Sequence, residues 1–331
     1  MSKISIIIPV YKVGKYIENS MKSVVAQRFK DFEVILVDNN TPDDSIEIAE
    51  RVLAGTEINY RVVKQSIQGL PAARNMGIAE AKGEWLISID PDDTISPYFL
   101  EELYRYATES NMLVIFGEYD EVEEDGLFVF PEEKKENAFE ILDRDYTMHN
   151  LLIRRLPLMV SNMFFKKCLF VDHEFQFDQG VILGADLILV WRILLNLEKI
   201  GHLNKKLYNH FFRSDSLITA PSNEKIETNL AGYRRICDYV EKSYSKEFSE
   251  WIFARELYGL LSVVSIHGEY KMFKENFDQY YTKDIHRSLR SFPDRRINIM
   301  DKILYTCPWL FFEMNKQLRQ PNSLLGKLLH K

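Results

Sequence analysis

The sequence predicts an α/β fold, a mostly parallel sheet flanked by helices, followed by a helical region. Three observations carry this. Short β-branched runs such as Ile4–Val10, Glu33–Val37 and Trp85–Ile89 read as buried strands. Segments with apolar residues at helical spacing separate them, and strand–helix alternation at this rhythm builds a parallel sheet covered on both faces. From about residue 223 the helical spacing continues without strands. Two regions follow, 1–220 and 221–331.

The first strand, Ile4–Val10, is followed by Tyr16, Ile17, Met21, Val24 and Val25 at helical spacing. Glu33–Val37 is the second strand and ends at Asp38. Thr41-Pro42-Asp43-Asp44 then predicts a helix to about Leu53, with Thr41 as N-cap, proline at the first position and acids in the first turn. Ile58–Lys64 is the third strand, and 71–81 is a helix stopped by Gly83. Trp85–Asp90 is the fourth strand, 97–110 a helix and Leu113–Tyr119 the fifth strand. Residues 120–135 read as an acidic hairpin around Gly126, 138–156 as a helix, 161–165 and 207–212 as strands, and a helix opens near Asp186. Beyond 223 the helices are 223–244, 246–267, 270–282 and a last segment.

Composition narrows the class. The 331 residues carry a formal net charge of −7, which argues against nucleic acid as a partner. Cys168, Cys237 and Cys307 are widely spaced, with neither a metal spacing nor a disulfide framework, as in a reducing compartment. Met1-Ser2-Lys3 leads straight into a strand with no secretory leader, and no apolar run reaches bilayer length. The expectation is a cytoplasmic protein. Its charge is uneven: residues 287–331 hold nine Lys and Arg against three acids, a net +6, leaving −13 for the first 286.

The chemistry centres on Asp90-Pro91-Asp92-Asp93, three carboxylates in four positions at the end of a strand. Open α/β sheets bind ligands at that edge. Such close carboxylates repel unless a cation neutralises them, and oxygen ligands of this kind suit Mg2+ or Mn2+ holding phosphate oxygens. The plainer alternative is a solvated acidic turn, with Ser96 capping the next helix and Pro97 opening it. There is no G-x-G-x-x-G in the first turn and no G-x-x-x-x-G-K-[ST], which removes dinucleotide and P-loop readings. Asp38 and Arg74 belong to the same edge. A carboxylate accepting a base N–H and a guanidinium donating to a base carbonyl suit a pyrimidine. Asp38 as a turn-capping carboxylate and Arg74 as a surface helix residue are the alternatives.

Ile4-Ser-Ile-Ile-Ile-Pro-Val-Tyr11, Ser23-Val-Val-Ala-Gln27, Asp31-Phe-Glu-Val-Ile-Leu-Val-Asp38, Pro71-Ala-Ala-Arg-Asn-Met-Gly77, Gly83-Glu-Trp-Leu86 and Asp90-Pro-Asp-Asp93 together resemble the family-2 glycosyltransferases, inverting enzymes of the GT-A fold. The likeness is dense over residues 4–100 and thinner to about 218. It implies a nucleotide-sugar donor, usually UDP-linked, and a saccharide acceptor. Carried over by position, Asp38 would contact uracil, Arg74 the base, Asp90 the ribose and Asp92 the metal, with Pro9 and Tyr11 flanking the base. Two departures stand out. Asn39-Asn40-Thr41 replaces the family's second Asp and Gly-Ser; Asn tolerates positive φ, so the turn survives. Pro91 stands where a small polar residue is usual and leaves both carboxylates in place.

Inverting transfer needs one carboxylate to take the acceptor hydroxyl proton while that oxygen attacks the anomeric carbon. In Gly184-Ala185-Asp186 the resemblance implies Asp186 as that base, with Arg192 six residues on as a diphosphate or acceptor contact; Ala185 replaces the family's Glu. A first-turn acid favoured by the helix dipole is the structural alternative for Asp186, and Asp178 and Glu174 are fallback bases. Asp93, His210 and Arg213 are further contacts of the diphosphate, metal or acceptor, although a His in an aromatic strand also reads as structural. The tail's Pro308-Trp-Leu-Phe-Phe312, Leu324-Leu325 and Leu328-Leu329 among basic residues fits an anionic membrane surface and a polyprenyl-linked acceptor in surface-polysaccharide synthesis, or helix packing or a homo-oligomer contact. Two rival functions remain at this point. One is a nucleotidyltransferase using Lys12 and Lys15 on a triphosphate; the other is a non-catalytic donor-binding subunit, which Ala185 favours.

Overall fold

The computed structural model describes residues 2–123, 138–172, 175–182, 184–212 and 221–318. The chain divides into two compact units, Met1–Gln179 with Ala185–Arg213, and Gly180–Gly184 with Ser214–Lys331. The predicted hairpin around Gly126, Glu174, Arg213 and the tail from 319 lie outside the described residues.

The first unit opens with β1 (Ile4–Val10), α1 (Ile17–Val25), β2 (Phe32–Asp38), α2 (Ser45–Leu53), β3 (Asn59–Lys64), α3 (Leu70–Glu80) and β4 (Trp85–Ser88). It continues with β5 (Thr94–Ile95), α4 (Phe99–Ser110), β6 (Val114–Glu123), β7 (Phe139–Asp143), α5 (Arg144–Leu152), a 3-10 turn (Val160–Asn162), β8 (Met163–Lys166), α6 (Cys168–Asp172), α7 (Ala185–Asn196) and β9 (Lys199–Phe212). The strand order is β3-β2-β1-β4-β8-β6-β9-β5, with β7 also on β9. β1, β2, β3 and β4 are mutually parallel, whereas β8 runs antiparallel to both β4 and β6. The sheet is therefore mixed, its parallel half forming the N-terminal portion.

Alternation along β1 explains the layering. Ile4, Ile6, Ile8 and Val10 enter one core with Ile17, Met21 and Val24 of α1, Leu53 of α2 and Leu103 of α4. Ile7 points the other way, to α3. There a Cβ on Gly77 would stand 2.2 Å from Ile7 Cγ2, so only glycine lets α3 lie this close.

Several local expectations change. α2 starts at Ser45, not beside Thr41. The Thr41 hydroxyl accepts from Lys12 N, and Asp43 accepts from Gly14 N, Thr41 Oγ1 and Ser45 Oγ, so these residues tie the β1 loop to α2 instead of capping a helix. α4 starts at Phe99; Ser96 sits in the preceding turn, its N–H bonded to Leu207 O. Gly83 is no helix stop: α3 ends at Glu80, and a Cβ at 83 would meet Ser5 N at 2.6 Å, so glycine serves the close approach to β1. The helix expected over 138–156 is strand β7 and then α5, because β9 offers a backbone edge that residues 139–143 pair with throughout. The strand expected at 161 begins at Met163, after the 3-10 turn.

The second unit contains α8 (Asn223–Ser243), α9 (Lys246–His267), α10 (Tyr270–Tyr280), α11 (Lys283–Ser291), α12 (Arg295–Thr306) and α13 (Pro308–Leu318). The expected last segment is thus three helices, since the Ser291–Asp294 and Cys307-Pro308 junctions interrupt it. Ser222, Ser245, Thr282 and Asp294 cap their helices through side-chain oxygens. Leu230, Leu257, Leu261, Phe273, Leu304 and Phe311 form its core. No described helix is long and apolar enough to cross a membrane.

Candidate active site

The carboxyl edge of the parallel strands collects the expected residues. Val10 stands opposite Asp38, and Ile7 opposite Ser88, so the loops after β1, β2 and β4 leave side by side. Pro9 is buried in β1, and Tyr11 beyond it is 42% exposed, with the Lys12 ammonium 5.3 Å from its ring centroid. Asp38 accepts the Thr41 N–H at 3.1 Å. Asn40 takes φ +58°, the conformation its type tolerates.

Asn39, noted in the sequence only as a departure from the family's second Asp, builds this edge. Buried, it donates to the carbonyls of Gln65 (3.0 Å) and Ile67 (2.6 Å) and accepts from Gly69 N (2.8 Å). That pins the loop leading into α3.

α3 in turn delivers Arg74, buried and multiply bonded. Its Nη2 donates to Asp90 at 2.7 Å, its Nη1 to Asp186 at 2.5 Å and its Nε to Ser88 Oγ at 3.2 Å. Its guanidinium lies 5.4 Å from the Phe177 ring centroid. One cation thus joins two carboxylates 96 positions apart in the chain. The surface-helix alternative for Arg74 is excluded by its burial, and its planar guanidinium serves three acceptors at once. Burial works against its charge, but Asp186 and Asp90 outweigh this and hold the guanidinium firmly protonated.

Asp186 opens α7, and its side chain is 37% exposed, so an incoming group can reach it. Burial pushes its carboxyl above the ordinary carboxylate range; Arg74 pulls against this, Asp90 adds to it, and the net is upward. A raised carboxyl within reach of solvent is suited to accepting a proton.

Asp93 behaves differently from its neighbours. It is fully buried; Oδ2 accepts from Tyr208 Oη (2.6 Å) and His210 Nδ1 (3.3 Å), and Oδ1 from Phe211 N (2.9 Å). Through these bonds it anchors β9 under the acidic loop. Its hydrogen bond to His210, against the opposing effect of burial, pushes that imidazole up to about 9, so a cation stands beside Asp92 and Asp90 at neutral pH. Arg192 donates to Gln176 O at 3.5 Å. Six residues beyond Asp186 it is turned about 240° around α7, and the structure does not join it to the Arg74 group. Asp178 follows Phe177 in the same segment.

Among the described residues no three His, Cys, Asp or Glu side chains are gathered as a cage. Asp90 is engaged by Arg74 and Asp93 by β9, and Asp92 between them is partly exposed. Mg2+ and Mn2+ with nucleotides rest on one or two carboxylates plus substrate phosphates, so a single carboxylate at this edge fits such an ion carried by a diphosphate.

Residues 5–167 match the family model described as Glycosyl transferase family 2. Glycosyltransferase GlyA of Streptococcus pneumoniae is 30% identical over 224 residues, 65% of this chain but only 31% of GlyA. Glycosyltransferase GlyG of the same organism is 28% identical over 267 residues, covering 76% of this chain and 81% of GlyG. Among solved structures, residues 1–349 of S. aureus TarS in complex with UDP-GlcNAc align with TM-score 0.65 at 17% identity, over 97% of this chain and 92% of that one. At that identity the likeness is one of fold.

Proposed function

The chain belongs to the family-2 glycosyltransferases, and from that premise we propose that it transfers a sugar from a UDP-sugar to a saccharide hydroxyl with inversion, assisted by Mn2+ or Mg2+. The observation that carries the reading is the Arg74 bridge, which holds a ribose-side carboxylate, Asp90, and a proton-accepting carboxylate, Asp186, in one rigid group. The UDP bound by the similarly folded TarS supports the choice of nucleotide.

In this reading Asp38, Pro9, Tyr11 and Arg74 frame the base, and Asp90 the ribose. Asp92 holds the metal, which when bound neutralises the diphosphate leaving group; the His210 cation supplements that charge. The acceptor oxygen forms its bond to the anomeric carbon as the carbon–phosphate oxygen bond breaks, the bonding pair leaves with UDP, and the hydroxyl proton passes to Asp186. The acceptor in this reading is a lipid-linked saccharide in surface-polysaccharide synthesis.

The test is calorimetric titration with UDP, GDP, CDP and dTDP, each with Mn2+ and with chelator. UDP binding that requires Mn2+ is expected. A preference for another nucleotide, or for a triphosphate, overturns the donor assignment.

A further inference from the structure

The residue after Arg74 has no role in the scheme above. Asn75 lies on α3, and its side-chain amide pairs with both backbone polar groups of one residue across the unit: Nδ2 donates to Phe177 O at 2.9 Å, and Phe177 N donates to Oδ1 at 2.9 Å. The partner segment 175–178 has no strand or helix of its own. Buried backbone groups in such a segment need partners from elsewhere, and Asn supplies a donor and an acceptor from one short side chain. Asp has no donor and Ala has neither.

Phe177 is buried, and its ring lies under the Arg74 guanidinium at 5.4 Å. The two neighbouring residues of α3 therefore grip the same group twice. Asn75 fixes the Phe177 backbone; Phe177 backs the guanidinium; the guanidinium aims Asp186. On the opposite side Arg74 is held independently, by Asp90 and Ser88 of the β4 edge.

We propose that Asn75 is a positioning residue for the catalytic base, setting Asp186 through Phe177 and Arg74 without touching substrate. The proposal rests on Asp186 being that base. It divides the site into a donor half, tied to β4, and an acceptor half, tied to segment 175–178 through Asn75. Loss of Asn75 then loosens the acceptor half alone.

The experiment compares wild type with Asn75→Ala, Asn75→Asp and Phe177→Leu in three readouts. The first is hydrogen exchange of the segment 175–178, which tests the clamp without any activity. Exchange is expected to rise at least about tenfold in Asn75→Ala and Asn75→Asp and to stay near wild type in Phe177→Leu, which keeps the backbone bonds. The second is UDP titration with Mn2+, expected to stay within about twofold in all variants because the donor half is intact. The third is the rate of UDP release from UDP-sugars, where displacing a base by about 1 Å costs up to roughly 100-fold in kcat; kcat falls in all three variants with donor KM unchanged. Unaltered exchange in Asn75→Ala overturns the clamp. Raised exchange with unchanged kcat, or kcat and UDP affinity falling together, overturns the positioning role. A wild type that binds no UDP and releases none refutes the UDP-donor reading instead, and with it the catalytic half of the proposal.

Discussion

Arg74 decides how the individual carboxylates can be told apart. It is buried and shared by Asp90 and Asp186, so removing either acid leaves it one carboxylate and the Ser88 hydroxyl. Asp186→Asn keeps a side-chain oxygen for Nη1 while removing the negative charge and the ability to take a proton. It is expected to bind UDP as wild type does and to lose transfer by about 100-fold or more, measured by titration alongside UDP release; near-normal transfer would disprove the base assignment. Asp92→Ala is expected to abolish the Mn2+ dependence of UDP binding, since Asp92 is a partly exposed carboxylate of the acidic loop. Retained Mn2+ dependence would place the metal on other residues. Asp38, Arg74, Asp90, Asp92 and Asp186 could be named from the sequence as candidates, because each belongs to a strand end or helix start where the residue type states its chemistry. Asn39 and Asn75 stood out only as neighbours of these residues, without the bonds they make. Their partners, Gln65, Ile67 and Gly69 for one and Phe177 for the other, are backbone groups 26 to 102 positions away, and no local pattern announces a side chain bonded to distant backbone.

At the scale of elements, β1, β2 and β4 were readable because they are buried almost throughout, and buried runs of that kind have few alternatives. In the mixed half, β6, β8 and the end of β9 were expected as strands, but β7 was not. β7 carries Glu140 and an exposed Ile141, and its weak pattern yields to the edge that β9 presents. Two predictions belong here. Gly77→Ala inserts a methyl against Ile7, which must lift α3 from β1; overpacking of this kind costs about 1–3 kcal/mol, read as a lower urea midpoint, and the lifted helix carries Arg74 away from Asp90, read as weaker UDP binding. Unchanged stability and binding would mean that Ile7 yields at no cost. The second concerns His202 of β9, which bonds Glu118 of β6 and Glu140 of β7, both at 2.7 Å, and stacks on Phe116. Burial pulls this imidazole down, but the two glutamates outweigh it and hold its pKa above the ordinary 6.5. A folded pKa above the unfolded one gives stability that is complete below about 6.5 and is lost as pH rises through the folded value. Wild type should therefore lose stability over that window in urea titrations at successive pH. His202→Asn should flatten the dependence and lower stability at acidic pH by about 1–3 kcal/mol; an unaltered slope would show that the three strands are not joined by a charged imidazole.

The chain as a whole is acidic, yet its C-terminal helices expose the opposite character. Arg295, Arg296, Ile299, Lys302 and Tyr305 are exposed on α12, and Trp309, Leu310 and Lys316 on α13. Apolar side chains at 41 to 54% exposure interleaved with cations match an anionic bilayer surface better than bulk water does. Each basic residue near an anionic leaflet contributes about 1 kcal/mol, and that attraction is screened by salt. The full chain is therefore expected to sediment with vesicles of phosphatidylcholine and phosphatidylglycerol, not with phosphatidylcholine alone, and to be released as salt rises. Trp309→Ser with Leu310→Ser should weaken binding at every salt concentration, because the apolar contribution is unscreened. Arg295→Glu with Lys302→Glu should remove the preference for the anionic lipid. If the wild type instead ignores both vesicles and self-associates, and the Trp309 and Leu310 changes render it monomeric, the patch is a contact between copies of the chain, and a lipid-linked acceptor loses its physical support.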